Sequence, residues 1–142
     1  MAVFDPKEVS VLLDGREISD WADGADVISV NYSVDDGEYI IGADGRGIFI
    51  ANTDKSGTLV LKVKQHSEDN AYLIKLRNQQ KNSIKTFAPM TLSIRDLMNG
   101  DVVTATKGYF TTPPSFVRGQ GHNPETWTIK FESVVMNLEK GL

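Results

Sequence analysis

The chain has 142 residues, 40% of them hydrophobic and 24% charged, and no cysteine. These figures fit one soluble domain over residues 1–142, and they exclude a disulfide scaffold and thiolate metal sites. The net charge of −4 argues against binding nucleic acid by phosphate neutralisation, which takes a basic surface.

The opening MAVFDPKEVS lacks the basic-then-apolar pattern of a signal peptide, and no apolar run approaches the roughly 20 residues of a membrane span. Synthesis in the cytoplasm is the expectation. Residues 8–13 (EVSVLL) read as a short strand. Asp14-Gly15 is a two-residue hairpin turn signal, followed by a brief return strand at 16–19. Residues 20–24 turn around Trp21. Along 25–34, Ile28, Val30, Tyr32 and Val34 alternate with Ser29, Asn31 and Ser33, a half-buried strand with one small polar face.

Residues 35–57 (DDGEYIIGADGRGIFIANTDKSG) form a glycine-rich acidic excursion. Two apolar pieces, Tyr39-Ile40-Ile41 and Ile48-Phe49-Ile50, flank a turn at Asp44-Gly45, so the segment reads as an extended hairpin or arm. Exposed Ile and Phe need a partner surface. That surface is either a neighbouring copy or the chain's own body, with the arm folded back.

Asp54 to Gly57 turns into a strand with Leu59, Leu61 and Val63 on one face. It runs without a linker into a helix. Ser67 caps that helix, Glu68 and Asp69 occupy the dipole-favoured first turn, and Tyr72, Leu73 and Leu76 share a face. Residues 86–95 give a strand with Met90, Leu92 and Ile94 together, and Pro89 disturbs its start. A turn at Asn99–Asp101 leads to a strand over 101–110 and a loop over 111–124. In the last strand, 126–138, Trp127, Ile129 and Phe131 share a face, but then Val134, Met136 and Leu138 do. A parity flip near Glu132-Ser133 implies a bulge or a strand that passes from one sheet to another. About seven strands and one helix close most naturally as two packed antiparallel sheets, a β-sandwich or flattened barrel, with the helix at one edge. The expected core holds Leu59, Leu61, Val63, Leu73, Leu76, Trp127, Ile129 and Phe131.

Catalytic and cofactor motifs are missing. There is no GxxxxGKS/T loop, GxGxxG fingerprint, GxSxG elbow or HExxH helix. Asp35, Asp36, Glu38 and Asp44 lack calcium-loop spacing. His66 and His122 are the only histidines and lie far apart in the sequence, so no metal site and no cofactor is expected. Trp127 belongs in the core by its strand phase, while Trp21 fits either core or surface. Residues 1–57 hold twelve acidic and four basic residues, and residues 58–142 hold seven and eleven. This is either chance clustering in loops or a bipolar subunit that stacks head to tail.

The segments FDPKEVSVLLDG at the start, ISDWADG (18–24), GADGRGIF (42–49), SGTLVLKVKQHSEDNAYL (56–73) and ETWTIKFES (125–133), in this order, resemble the tail tube proteins of contractile-tailed bacteriophages. The resemblance implies a non-enzymatic virion protein with a β-sandwich-like fold. It also implies homo-oligomeric, hexameric rings whose strands join into an inner barrel. Rings stack into a tube that carries genome DNA without binding it, with the sheath, baseplate and tail terminator as further partners. The long arm, 35–57, would then reach the neighbouring ring. The small polar face of Ser29, Asn31 and Ser33 is the candidate lumen surface. Tubes of phage-derived bacteriocins and type VI-like secretion particles share this architecture and stay open as alternatives, as does a monomeric β-sandwich binding module.

Overall fold

The computed structural model describes residues 4–139. A 3-10 turn, Pro6–Glu8, capped by Asp5, precedes nine strands and one helix. In chain order they are β1 (Val9–Leu13), β2 (Arg16–Ile18), β3 (Ile28–Tyr32), β4 (Gly37–Ile41), β5 (Gly47–Ala51), β6 (Gly57–Val63), α1 (Glu68–Asn82), β7 (Met90–Asp96), β8 (Val102–Thr112) and β9 (Glu125–Asn137). Seven strands form one antiparallel sheet in the order β2-β1-β7-β8-β9-β6-β3, while β4 and β5 form a separate two-stranded sheet. The fold is therefore mainly β with one helix, as its alternation patterns predict.

Local chemistry explains the elements. Asp14 and Gly15 both adopt positive φ (53° and 85°), the conformation of the tight hairpin turn that an Asp-Gly pair favours. β6 alternates perfectly, with Leu59, Leu61 and Val63 fully buried. α1 is capped by the Ser67 side chain, which accepts from Asp69 N. Pro89 has no N–H to donate, and β7 begins only at Met90, later than the apolar pattern suggests. Residues 86 and 87 instead turn back, their amides bonding Ser83 O.

The parity flip expected in the last strand is present, and it is shared. In β9 the buried side passes from Phe131 to Val134; in β8 it passes from Ala105 to Gly108. Register between the two strands is unbroken across this level, Thr106 facing Ser133 and Gly108 facing Phe131. Lys107, between them, has a positive φ of 58°. β7 carries a register shift at the same level, between Met90 and Leu92. The sheet bends along this line. Its two layers are two parts of one sheet: β2, β1 and β7 with the outer halves of β8 and β9, then the inner halves with β6 and β3. Beyond β2 the chain crosses to the far side, where Ala22 N bonds Lys62 O and Lys64 N bonds Asp20 O, and this closes a flattened barrel.

Trp127, Ile129 and Phe131 pair with Leu61, Leu59 and Gly57 in one contiguous core that includes Val63 and Leu73. Leu76 is half-buried against it. Trp127 Nε1 donates to Asn70 Oδ1 (3.0 Å), so the indole is satisfied as well as buried. A Cβ on Gly108 would collide with the Phe131 ring.

Trp127→Ala should cost roughly 3–5 kcal/mol by cavity formation, read as a lower denaturant midpoint. An unchanged midpoint would mean that the ring is not a core element. Gly108→Ala should cost about 1–3 kcal/mol by overpacking. A neutral result there would show that the Phe131 ring moves aside freely.

Candidate assembly surfaces

The arm is a β-hairpin. Tyr39 faces Phe49, Ile40 faces Ile48, and Glu38 faces Ile50 across its ladder. A five-residue loop closes it, with Gly42 N bonded to Arg46 O (2.8 Å) and Gly45 at φ 82°. Strand alternation puts Tyr39, Ile41 and Phe49 on one face and Ile40, Ile48 and Ile50 on the other. Both faces are thus apolar, and all six side chains are exposed, Tyr39 and Ile48 at 70%. The arm does not fold back on its own body.

Two glycines shape the first face. A Cβ on Gly37 would strike the Phe49 ring and lie 2.6 Å from Ile50 O, and one on Gly47 would strike Ile41. Without those Cβ atoms Phe49 and Ile41 lie across the neighbouring strand, and the Tyr39 and Phe49 rings meet edge to face at 5.1 Å. At the stem the ladder stops at Ser33 N–Ser56 O (3.0 Å) and resumes at Asn52 N–Asp36 O (2.7 Å). Asp54 steadies the gap. Its carboxylate accepts from Ser56, and these hydrogen bonds hold its pKa below the usual carboxylate range.

Of the four acidic residues assigned to the arm, Asp35, Asp36 and Glu38 stand exposed at the stem. Asp44 is occupied locally, accepting from Arg46 N (3.1 Å) and lying 3.9 Å from Arg46 Nε. Among the basic residues of the later half of the chain, Lys62 already pairs with Asp26 (3.0 Å), and this hydrogen-bonded lysine lowers the Asp26 pKa.

The polar face of β3 is narrower than its alternation suggests. Ser29 is half-buried, while Asn31 and Ser33 are exposed, with Asn31 Nδ2 donating to Ser29 Oγ (3.2 Å). Register extends this face through Thr58 and Val60 of β6 to Thr128 and Lys130 of β9. Two lysines therefore border it, Lys62 and Lys130, each with an aspartate nearby: Asp26 for Lys62, and Asp54 for Lys130.

The histidines, distant in sequence, meet in the structure. The His66 and His122 rings lie 6.0 Å apart. His122 Nε2 accepts from Gln65 N (3.0 Å), and Asn123 N donates to Gln65 Oε1 (3.0 Å). The pair fastens the 113–124 loop to the β6–α1 junction. Among the described residues no group of three metal-ligating side chains occurs, and no helix is long and apolar enough to cross a membrane.

Three features had little or no sequence signal. Phe116 is 81% exposed on the 113–124 loop beside the half-exposed Val117, and only their flanking Pro and Gly mark them as surface residues. The Gln80 amide takes both backbone groups of Phe110, accepting from its N–H (2.7 Å) and donating to its C=O (2.9 Å). Asp69, read as a dipole-favoured residue of the first turn, is buried and accepts from Ser19 N (2.8 Å) and from Arg16 (3.4 Å).

Solved structures of similar fold come from contractile injection machines. The anti-feeding prophage cap, a tube-terminating cap, superposes with a TM-score of 0.63 at 13% identity over 97% of this chain and 93% of that one. The sheath–tube complex of an extracellular contractile injection system, PVC, in the extended state gives 0.60 at 13% over 96% and 92%. The sheath/tube terminator of the same system gives 0.58 at 15% over 96% and 98%. A sequence search of curated proteins finds no match. A family model, described as bacteriophage PhiTE tail tube protein, matches residues 10–139, from β1 through β9 and past its end. The chain belongs to that bacteriophage tail tube family.

Proposed function

We propose that this protein is the structural subunit of a tail tube: copies join edge to edge into rings, and rings stack through the 37–51 hairpin. The observation that carries this reading is the hairpin itself, which holds six large apolar side chains away from the body on both faces. A monomer gains nothing from that arrangement, whereas a subunit that stacks head to tail gains its main contact. Six subunits per ring is the number that the family resemblance implies.

Several features support the finer points. β3 ends the sheet, and an unpaired edge favours joining strands across subunits into a closed inner barrel. The face with Ser29, Asn31, Ser33, Thr58, Val60 and Thr128 suits a lumen, being small, polar but for Val60, and nearly neutral once Lys62 and Lys130 are set against Asp26 and Asp54. Such a wall would let DNA pass without trapping it. A sheath around the tube, a terminator at one end and a baseplate at the other complete the assembly, and the subunit itself has no catalytic step and uses no cofactor. The fold neighbours from injection systems favour one second reading, a tube of a phage-derived injection particle that carries no genome. Particles purified from the producing strain and assayed for packaged DNA separate the two.

Negative-stain microscopy of purified protein is the direct test. Wild-type protein should form rings or tubes, and a variant lacking residues 38–49 should remain folded by circular dichroism yet not extend tubes. Long, normal tubes from that variant would remove the arm from the stacking contact. The isolated subunit should also show no appreciable affinity for duplex DNA at physiological salt. A salt-dependent micromolar Kd would instead mark a nucleic-acid-binding module.

A further inference from the structure

The arm and a second surface lie at opposite ends of the subunit. The inner layer is in register from Tyr32–Gly57–Phe131 at one end to Leu61–Trp127 and Val63–Glu125 at the other. The arm leaves from the first end, between β3 and β6. The seven residues of β6 separate the two ends by about 20 Å. At the second end the 113–124 loop lies against α1 and leaves a groove of about 380 Å³. Ala71 and Ile74 of α1 form one wall, Pro114 and Phe116 the other, with Trp127 and Arg118 also lining it.

This groove is built rather than incidental. The loop is fastened by His122 and Asn123 to Gln65. Arg118 stacks over the Phe116 ring at 4.2 Å and reaches Glu125 at 3.6 Å. An aromatic side chain left 81% exposed is thus held in a fixed place beside an apolar wall.

We infer that this groove receives the hairpin of a second copy, its tip residues Ile40, Ile41 and Ile48 packing against Ala71, Ile74 and Phe116. The inference rests on the stacking role of the arm proposed above, and adds the surface on which the arm lands. Three considerations select it. Head-to-tail stacking presents the arm end of one copy to the groove end of the next. The hairpin strands, five residues each, extend about 17 Å and so reach past a subunit boundary. Charge adds a third: Arg118 is matched by Glu125, which also lines the groove, so Lys75, one turn beyond Ala71 on the same helix face, is the basic residue left to meet Asp35, Asp36 and Glu38 at the arm stem.

The rival surface is the cleft of about 590 Å³ between the layers, lined by Val9, Trp21 and Ile28 among others. It is larger, but its lining includes Asp96 and Asp101 and no basic residue. An acidic arm is repelled there.

The absence of cysteine makes cross-linking clean. Tubes assembled from the double variant Ile48→Cys/Ala71→Cys and oxidised with diamide should run on a non-reducing gel as a ladder of dimers and higher multimers, collapsing to monomer on reduction. Ile48→Cys/Ala25→Cys, which tests the rival cleft, should give no ladder. Tubes that form yet show no 48–71 ladder, with or without a 48–25 ladder, overturn the groove assignment and leave the arm's stacking role standing. That role falls separately, if the 38–49 deletion still makes tubes. As a second measurement, Phe116→Ala should leave the monomer's denaturant midpoint unchanged and raise the critical concentration for tube growth roughly tenfold or more, as expected for losing a buried aromatic. An unchanged critical concentration counts against the groove.

Discussion

Everything in this fold turns on the line where the sheet bends, and the bend depends on two close approaches to glycine. The Phe131 ring lies against Gly108, and Val134 lies over Gly57, where a Cβ would come within 2.7 Å of Val134 Cγ2. These contacts fall on either side of the parity flip in β9. Before the flip, β9 serves the layer that contains β6; after it, β9 continues beside β8 alone, and Val134 N bonds Lys55 O. A straight strand would put Val134, or else Phe131, on the wrong side. The positive φ of Lys107 turns β8 in step, so the two long strands change face together without losing register. Lys107 Nζ and Glu132 Oε2, 3.3 Å apart at the outside of the bend, are both exposed. That pair adds little stability, and side-chain packing on glycine does most of the shaping.

The helix holds the barrel shut and guards an edge. Asp69 binds Ser19 N and Arg16, and Ser67 Oγ donates to Asp20 (2.9 Å). The crossing segment is thereby pinned where it leaves β2 for β6. The Asp69 carboxylate is buried, and removing it takes away the acceptor of the Ser19 N–H and the partner of Arg16 together. At the other end of α1, Gln80 occupies the Phe110 backbone groups, beyond the point where β7 stops pairing with β8. That edge is closed by a side chain, and the edge of β3 is left as the open one on the inner layer. An assembly that joins strands between subunits thus has the β3 edge to use, while Gln80 keeps the Phe110 backbone from pairing with another strand.

Much of this was legible in the sequence because it is local. The alternation of Leu59, Leu61 and Val63, the Asp14-Gly15 turn, the Ser67 cap and the flip after Phe131 each declare themselves within a few residues. The exposed hairpin was also legible, since its apolar pieces sit among glycine and acid. What escaped was long-range. Nothing near His66 announces His122, 56 positions later, and nothing near Gln80 announces Phe110. The continuity of the two layers was hidden for the same reason, because strand alternation reports which face is buried and not which strand is the neighbour. The groove beside α1 depends on all of these contacts at once.

In the proposed stacking contact, apolar and charged residues of the arm would divide the work of association. Exposed ion pairs contribute only about 0–1 kcal/mol each, so affinity in that contact would have to come from burying Ile, Tyr and Phe. Those residues are a hazard in a free subunit, where flat apolar hairpins invite unspecific pairing. The hairpin limits that hazard by its charges: Asp35, Asp36 and Glu38 stand at the stem and Arg46 at the tip. A like-charged stem repels another stem, which disfavours arm-to-arm contact and favours a basic surface on a neighbour. The hairpin is also already folded, through the Tyr39–Phe49 contact and the two glycines beneath Phe49 and Ile41. Docking of such an arm would order little new backbone and leave most of the apolar burial to appear as affinity. A disordered arm with the same composition would lose much of that gain to conformational entropy, which is the physical reason for building the contact on a preformed pair of strands.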